Sequence, residues 1–339
     1  MDIAYGVTGV GIGHAIRSKT VIRHLLSKGH KIKVFSYGMA YEILKKSFDD
    51  VHKINGLEMF YENNKLRPAK TFFVNLFKLP CKIAKNFFIM KKFRPDVVIT
   101  DFEPMTYFFG KFKKIKVISI DNINIISLMN TPGLKNKKAR FLARIAAKLI
   151  NPRSDEYIIT AFPSEKNGVF PPVLREEILC AKPSLKQHCV VYLTSKDTEK
   201  TIIKALSRIN KKFLVYGLGK RFFSGNIIFK DFNEREFIKN LASASAVICY
   251  GGFSLISEAL YLGKPTMVIP IKDHYEQLLN ADYVDKNKFG NAYALLTERN
   301  AKEFFKHTKE YRKNLAGYPH EGNEKLFRHL DKKLSETAL

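Results

Sequence analysis

The sequence predicts an α/β protein with two doubly wound, Rossmann-like domains that face each other across a cleft. The chain has 339 residues, and at roughly 100 to 200 residues per domain this length suggests about two domains. Both halves alternate short runs of β-branched residues with longer helical patterns, which is typical of parallel sheets covered by helices on both faces. A proline- and glycine-rich stretch near the middle marks the expected boundary.

The first predicted domain, residues 1–162, is a βαβ series. Ligands bind at the carboxyl ends of the strands in such sheets, so the loops after the strands are the candidate site positions. The predicted strands are IAYGV, KIKVFSY, VHKIN, DVVIT, KVISI and YIITAF, and the predicted helices cover 15–28, 39–47, 68–92 and 104–112.

A linker is predicted over residues 163–175, because several prolines and a glycine interrupt the periodic patterns there. Residues 176–318 then form the second βαβ series, and residues 319–339 are expected to form a helix that packs back on the first domain. The second series has strands CVVYLT, FLVYGL, NIIFKDF, SAVICYG, PTMVIPI and NAYALL, with helices over 197–209, 234–243, 253–262 and 274–287.

The chain is strongly basic, and the excess charge lies mainly in the first half. It has 58 basic and 32 acidic side chains, a formal net charge of +26, and the first 150 residues hold 28 of the basic and 10 of the acidic groups. The segments 70–92 and 135–149 mix basic with large apolar residues at helical spacing. Such helices suit an anionic membrane surface, although core-facing helices with a solvated lysine face would give the same pattern.

Other partners and compartments fit the sequence less well. No RNP, KH, zinc-finger or helix-turn-helix pattern is present, so nucleic acid is not an expected partner. No run approaches ~18 apolar residues, and the N-terminus lacks the features of a signal peptide. Cys81, Cys180, Cys189 and Cys249 form no CxxC pair, which predicts neither a zinc site nor disulfides. The expected location is the cytoplasm, with peripheral attachment to the inner face of the cell membrane.

A glycine-rich loop follows the first predicted strand. Gly6, Gly9, Gly11 and Gly13 lead directly to His14 and a helix. Glycines let the backbone approach a ligand and a helix N-terminus attracts anions, so Gly11 and Gly13 are candidate substrate contacts. The spacing G-x-G-x-G differs from the dinucleotide fingerprint, and the second strand ends in serine instead of an acidic residue that would hold a ribose. A nicotinamide-dependent dehydrogenase is therefore disfavoured.

His14 is the candidate catalytic base. Imidazole at neutral pH can accept a proton from an alcohol, which activates a hydroxyl nucleophile. Asp101 lies at the end of another strand of the same predicted sheet and could orient His14 and raise its basicity. A turn-stabilising role for His14 and an N-cap role for Asp101 are the alternatives, and Glu103 is a reserve candidate for the base.

A second loop, in the other domain, predicts an anion site. Gly251 and Gly252 form a tight turn after a predicted strand. The following helix presents the backbone N–H groups of Phe253, Ser254 and Leu255, which suits a pyrophosphate.

Acidic and amide side chains follow this loop at regular positions. Glu258 lies six residues after the second glycine and could accept hydrogen bonds from a ribose diol. Asp273, Glu276 and Gln277 lead a further helix towards the same edge of the predicted sheet. Ordinary helix capping would not by itself explain this order of features.

These features resemble the GT-B glycosyltransferases of the MurG and glycosyltransferase family 28 type, in particular an archaeal-type branch with a GxGxGH opening. The resemblance implies a nucleotide-sugar donor, UDP-linked, held by the second domain, and an acceptor held by the first. The motifs that carry it are the glycine loop, GG-x5-E and EQ-x2-NA, the last two as Gly251, Gly252, Glu258, Gln277, Asn280 and Ala281.

The resemblance also implies individual roles. In chain order these are Thr194 and Ser195 beside the diphosphate, Phe232 and Asn233 at the base, the helical turn from Phe253 on the diphosphate, Glu258 at the ribose, and Glu276 and Gln277 at the sugar hydroxyls. Retaining enzymes with an E-x7-E arrangement would have a glutamate where this chain has Tyr250. The implied reaction is therefore inversion by single displacement, without a metal ion or other cofactor.

Two other functional classes stay open on the sequence alone. One is a nucleotide-sugar 2-epimerase of the same fold, which would need several carboxylates in the cleft. The other is a non-catalytic membrane-docking protein that binds sugar nucleotides. The sequence leaves the donor sugar, the acceptor and the oligomeric state open.

Overall fold

The computed structural model describes residues 1–58, 60–62, 65–128, 137–151, 153–162, 168–195, 198–219 and 222–338. This part of the chain forms two compact units, each with its own seven-stranded sheet. The first comprises Met1–Glu62, Leu66–Arg175 and Glu321–Leu339, and the second is built on Glu176–His320. Both sheets are mainly parallel with helices between the strands, which confirms the predicted pair of Rossmann-like folds.

The first unit contains the elements of the N-terminal half and the last helix of the chain. Its strands are β1 (Asp2–Val7), β2 (Lys31–Ser36), β3 (Val51–Lys53), β4 (Tyr61–Glu62), β5 (Lys65–Leu66), β6 (Val97–Asp101), β7 (Lys116–Asp121), β8 (Glu156–Thr160) and β9 (Val169–Phe170). Its helices are α1 (Ile12–Ser27), α2 (Gly38–Lys45), α3 (Pro68–Met90), α4 (Pro104–Phe112), α5 (Ile125–Leu128), α6 (Lys137–Ile150) and α13 (Glu324–Ala338).

The strand order of the first sheet creates a switch point in its centre. The order is β3-β2-β1-β6-β7-β8-β9 and all of these pairs are parallel, while β4 and β5 form a separate two-stranded sheet. The order reverses between β1 and β6, and such a reversal leaves a crevice at the carboxyl ends of the two strands. Val7 and Asp101, the last residues of these strands, lie opposite each other.

The C-terminal helix α13 packs into the core of the first unit. Leu326, Leu330 and Leu334 repeat every four residues and therefore share one helix face. They are buried in the same cluster as Tyr5 of β1 and Ile22 of α1. Burial of this apolar face places the end of the chain against the first sheet.

Part of the segment predicted as a linker belongs to the first unit. Residues 163–167 lie outside the described residues. Val169 and Phe170 form β9, which pairs with β8 at the edge of the first sheet. The boundary between the two units falls between Arg175 and Glu176.

The second unit is a further βαβ series. Its strands are β10 (Cys189–Tyr192), β11 (Phe213–Tyr216), β12 (Phe222–Ser224), β13 (Ile227–Phe229), β14 (Ala246–Cys249), β15 (Thr266–Val268) and β16 (Gly290–Ala292). Its helices are α7 (Glu176–Leu179), α8 (Thr198–Leu206), α9 (Glu234–Ser243), α10 (Phe253–Tyr261), α11 (Tyr275–Lys286) and α12 (Glu298–Leu315).

The second sheet also reverses its order at its centre. The order is β12-β13-β11-β10-β14-β15-β16, parallel except for the edge strand β12, which is antiparallel to β13. The reversal lies between β10 and β14, and the loop after β14 leads into α10. Within the described ranges, no helix is long and apolar enough to cross a membrane.

Candidate active site

The glycine loop after β1 is shaped mainly by packing within the first unit. A Cβ added to Gly6 would come within 1.9 Å of Thr106 Oγ1, and one added to Gly9 would come within 2.2 Å of the Tyr37 carbonyl oxygen. Gly11 is the N-cap of α1 and has a φ of +85°, a conformation that side chains other than glycine rarely adopt. Close contacts therefore account for Gly6 and Gly9, and helix entry accounts for Gly11.

His14 and Asp101 lie in contact at the switch point of the first sheet. His14 is the third residue of α1, next to Gly13, and Asp101 is the last residue of β6. His14 Nδ1 is 2.8 Å from Asp101 Oδ1, with side-chain exposures of 13% and 1%. If Nδ1–H donates to this carboxylate, Nε2 keeps a lone pair, which is the arrangement of an oriented general base.

The Asp101 carboxylate is surrounded by donors from α1. Arg17 donates from Nε to Asp101 Oδ2 at 2.7 Å and from Nη2 to Oδ1, and Ser18 Oγ donates to Oδ2 at 2.8 Å. Burial raises the pKa of Asp101, but the nearby Arg17 guanidinium and His14 outweigh it and hold this pKa well below its usual range. Asp101 is therefore a buried, ionised carboxylate.

The hydrogen bonds at the start of α4 show which of Asp101 and Glu103 caps this helix. Glu103, not Asp101, is the N-cap of this helix, because its carboxylate accepts hydrogen bonds from the backbone N–H groups of Met105 and Thr106 at 3.0 and 2.7 Å. Glu103 is fully buried, and this burial raises its pKa to about 7. A buried carboxylate occupied by helix N–H groups is poorly placed to meet an acceptor, so the geometry favours His14.

The loop after β14 in the second unit is fixed by α11. Gln277 Oε1 accepts hydrogen bonds from the backbone N–H groups of Gly251 at 3.3 Å and Ile271 at 2.9 Å, and Asn280 Nδ2 donates to the Gly251 carbonyl oxygen at 2.8 Å. A Cβ on Gly251 would come within 2.6 Å of Gln277 Cβ. The two motifs GG-x5-E and EQ-x2-NA are therefore physically coupled, and Gln277 has a structural role that its sequence motif did not reveal.

Gly252 differs from Gly251 in its surroundings. It is the N-cap of α10 with an ordinary φ of −69°, and a Cβ added there would meet no atom of the described chain within 4 Å. Neither backbone conformation nor packing within the described residues accounts for a glycine here. The positive end of the α10 dipole, at Phe253, Ser254 and Leu255, lies directly after this open position.

The remaining predicted donor contacts lie at the carboxyl edge of the second sheet or on the helices that start there. Asn233 Oδ1 accepts from the Glu236 N–H at 2.9 Å and so caps α9. Phe232 is half exposed, with its ring centroid 5.5 Å from that of Phe237. Thr194 and Ser195 follow β10, Asp273 with a φ of +64° precedes α11, Glu276 lies in the first turn of α11, and Glu258 is buried on α10.

The comparison with known protein families identifies the chain. The profile described as Glycosyl transferase family 1 matches residues 1–309. The chain belongs to this family. This match confirms the prediction of a glycosyltransferase.

Individual relatives of this glycosyltransferase agree with the resemblance to MurG. The chain is 24% identical over 338 residues to an uncharacterised glycosyltransferase of Methanosarcina acetivorans, covering 88% of this chain and 86% of the relative. It is 25% identical over 314 residues to the UDP-N-acetylglucosamine--N-acetylmuramyl-(pentapeptide) pyrophosphoryl-undecaprenol N-acetylglucosamine transferase of Clostridium botulinum, covering 84% of each.

Solved structures share the fold of this glycosyltransferase. The glycosyltransferase of kitacinnamycin matches with a TM-score of 0.69 and 14% identity, covering 98% of both chains. MurG of Acinetobacter baumannii matches with a TM-score of 0.61 and 15% identity, covering 98% of this chain and 99% of that one. These similarities confirm the GT-B fold.

Among the residues that the structure describes, no group of three or more His, Cys, Asp or Glu side chains could hold a metal ion. The polar side chains of the first unit are organised around the carboxylate of Asp101. Arg17 belongs to this cluster, although the sequence analysis did not predict it. Its position one helical turn after His14 is the signal that could have found it.

Proposed function

We propose that this glycosyltransferase moves a sugar, with inversion, from a UDP-linked donor to a hydroxyl group of a lipid-linked or anionic membrane acceptor. The observation that carries this proposal is the contact between His14 Nδ1 and the buried Asp101 carboxylate. The first unit would hold the acceptor and supply the base, and the second would hold the donor.

The proposed reaction is one displacement at the anomeric carbon. His14 Nε2 takes the proton of the acceptor hydroxyl while its oxygen forms the new bond to the anomeric carbon. The bond from this carbon to the phosphate oxygen breaks, and its electron pair leaves with the nucleoside diphosphate. The imidazolium that forms lies beside ionised Asp101, which stabilises it.

The second unit is proposed to stabilise the leaving diphosphate. The N-terminal end of α10 carries partial positive charge, and the open space at Gly252 lets an anion approach it closely. Gln277 and Asn280 fix the loop in advance, so less order has to be created on binding. The proposal needs no metal ion because the helix dipole provides the compensating charge.

A donor assay tests this proposal. The purified chain is incubated with UDP-, GDP- and dTDP-sugars, membrane lipid extract and EDTA, and released nucleotide is measured together with the anomeric configuration of the product. We expect UDP release that depends on lipid and persists in EDTA, and an inverted linkage. Conversion of the donor to its 2-epimer, with the nucleotide still attached, would indicate a 2-epimerase. No turnover with any donor would contradict the enzymatic proposal.

Exposed aromatic residues on the first unit support attachment to a membrane. Phe73, Phe77 and Phe88 are four and eleven residues apart on α3, about one and three turns, so they share one face. Their side chains are exposed, that of Phe77 by 80%. Lys91 Nζ lies 3.7 Å from the Phe88 ring centroid. A face that combines aromatic rings with lysine suits an anionic lipid surface, and we propose that this glycosyltransferase acts there, on the inner face of the cell membrane.

Replacing both Phe77 and Phe88 by serine is expected to weaken binding to vesicles that contain phosphatidylglycerol by at least ~10-fold. The reason is that two rings that would insert into the lipid are removed. Sedimentation with vesicles measures this. Phe223→Ser is the matched control, since this side chain is 71% exposed but lies on β12 of the second unit. Equal binding by the double variant and the control would contradict the assignment of α3.

A further inference from the structure

Arg17 is buried in the first unit, although arginine side chains usually lie at the surface. An arginine on an amphipathic surface helix usually points to solvent, but Arg17 is only 4% exposed. It lies one turn after His14 on α1, and so on the same helix face. Its guanidinium reaches the carboxylate that also contacts the proposed base.

The guanidinium contacts both members of the proposed pair. It forms a bidentate hydrogen bond to Asp101 through Nε and Nη2. Nη2 also lies 2.6 Å from His14 Nδ1, and because a guanidinium nitrogen only donates, this is an electrostatic contact and not a second hydrogen bond when Nδ1–H donates to Asp101. Nη1, the third guanidinium nitrogen, donates to Asn122 Oδ1 in the loop after β7. These contacts hold Arg17 in one orientation between α1, β6 and β7.

The titratable groups that act on His14, Asp101 and Arg17 lie on three strands. Asp101 on β6 is ionised and lies beside His14. Tyr5 on β1 also interacts with Asp101, and burial raises the pKa of this phenol, so it stays neutral. Asp121 on β7 interacts electrostatically with Arg17 and Asp101, and burial raises its pKa. Arg17 is therefore the positive charge that balances these carboxylates.

We propose that Arg17 is a positioning residue that holds Asp101 in contact with His14 and offsets the attraction between this carboxylate and a proton bound to the imidazole. A histidine beside an unbalanced carboxylate gains a proton readily, because the imidazolium and the carboxylate attract each other. The Arg17 charge offsets much of this attraction at a distance where like charges repel. This inference rests on the proposed role of His14.

The test compares variants that separate the charge of Arg17 from its shape. Arg17→Gln keeps polar contacts but removes the charge, and Arg17→Lys keeps the charge but loses the fork. The titration midpoint of His14 is measured by ¹H–¹⁵N NMR of the histidine side chains, with the His14 signal assigned from its absence in His14→Gln. We expect Arg17→Gln to raise this midpoint by about one pH unit and Arg17→Lys to leave it within about half a unit.

A control variant and a second readout complete the test. Ser18→Ala removes an uncharged donor from the same carboxylate, and we expect it to leave the midpoint unshifted. An unchanged or lower His14 midpoint in Arg17→Gln would overturn the inference. A rise of about one unit in Arg17→Lys would also overturn it, and this second variant provides the test if Arg17→Gln does not fold. The acid limb of the pH profile for kcat/KM should move with the midpoint. A shifted midpoint with an unshifted profile would show that Arg17 acts on the charge of His14 but would refute His14 as the base, and with it the catalytic consequence of the Arg17 contacts.

Discussion

Replacing His14 by glutamine is expected to reduce kcat by about 10²- to 10⁴-fold, the range that general base catalysis contributes. Glutamine retains a polar side chain of similar length, but it cannot take the proton of the acceptor hydroxyl. The donor KM should change little because we place the donor site on the second unit. Steady-state nucleotide release with the active donor measures both constants.

A second histidine on α1 provides the control for this result. His24 Nε2 is 2.8 Å from Asp331 Oδ1, so it also pairs with a carboxylate, but on the side of the helix that faces α13. His24→Gln should keep kcat within about twofold of the wild type. If His14→Gln turns over at the wild-type rate, the base must be another group and the proposed mechanism fails.

Replacing Gly252 by valine is expected to raise the donor KM by at least about tenfold while the protein folds normally. The position has a backbone conformation that valine adopts, and its Cβ would meet no atom of the described residues. The valine methyl groups would instead occupy the space in which we place the diphosphate. Donor KM and the thermal unfolding midpoint, measured on the same preparation, test the two halves of this prediction.

A side chain at the neighbouring Gly251 should lower stability. A Cβ on Gly251 would overlap Gln277, so Gly251→Ala is expected to lower the free energy of unfolding by ~1–3 kcal/mol. Denaturant unfolding measures this loss. Equal stability losses in the Gly251 and Gly252 variants, with no separate effect on donor KM, would show that both glycines serve packing only.

The sequence predicted the framework of the site because topology rules constrain it. Alternating strand and helix patterns placed the ends of β1, β6 and β14 at the carboxyl edges of parallel sheets, where ligands bind. This is why His14 and Asp101 could be paired although they are 87 residues apart. The helix predicted over 104–112 agrees with α4 (Pro104–Phe112).

Side-chain partners were harder to predict because they depend on contacts between distant elements. Glu103 and Asp101 are two residues apart, and only the backbone conformation shows that Glu103 caps α4. Arg17 looks like a surface residue of an amphipathic helix until Asp101 is placed beside it. The hydrogen bond from the Gly251 N–H to Gln277 Oε1 joins residues whose coupling the spacing alone does not specify.

Short strands were the other source of error. β9 has two residues, too few for a periodic pattern, so the segment around it was predicted as linker. β12 is a three-residue edge strand that pairs with β13, and the sequence analysis included only the second strand of this hairpin. Such strands are stabilised by pairing with a neighbour, which local sequence does not show.

In the proposed mechanism the second unit binds the leaving nucleotide at Gly252, and His14 acts only in proton transfer. Calorimetric titration of UDP into the wild type, His14→Gln and Gly252→Val tests this mechanism directly. We expect equal UDP affinity for the wild type and His14→Gln, and at least about tenfold weaker binding by Gly252→Val. Full UDP affinity in Gly252→Val, or loss of UDP affinity in His14→Gln, would refute this mechanism.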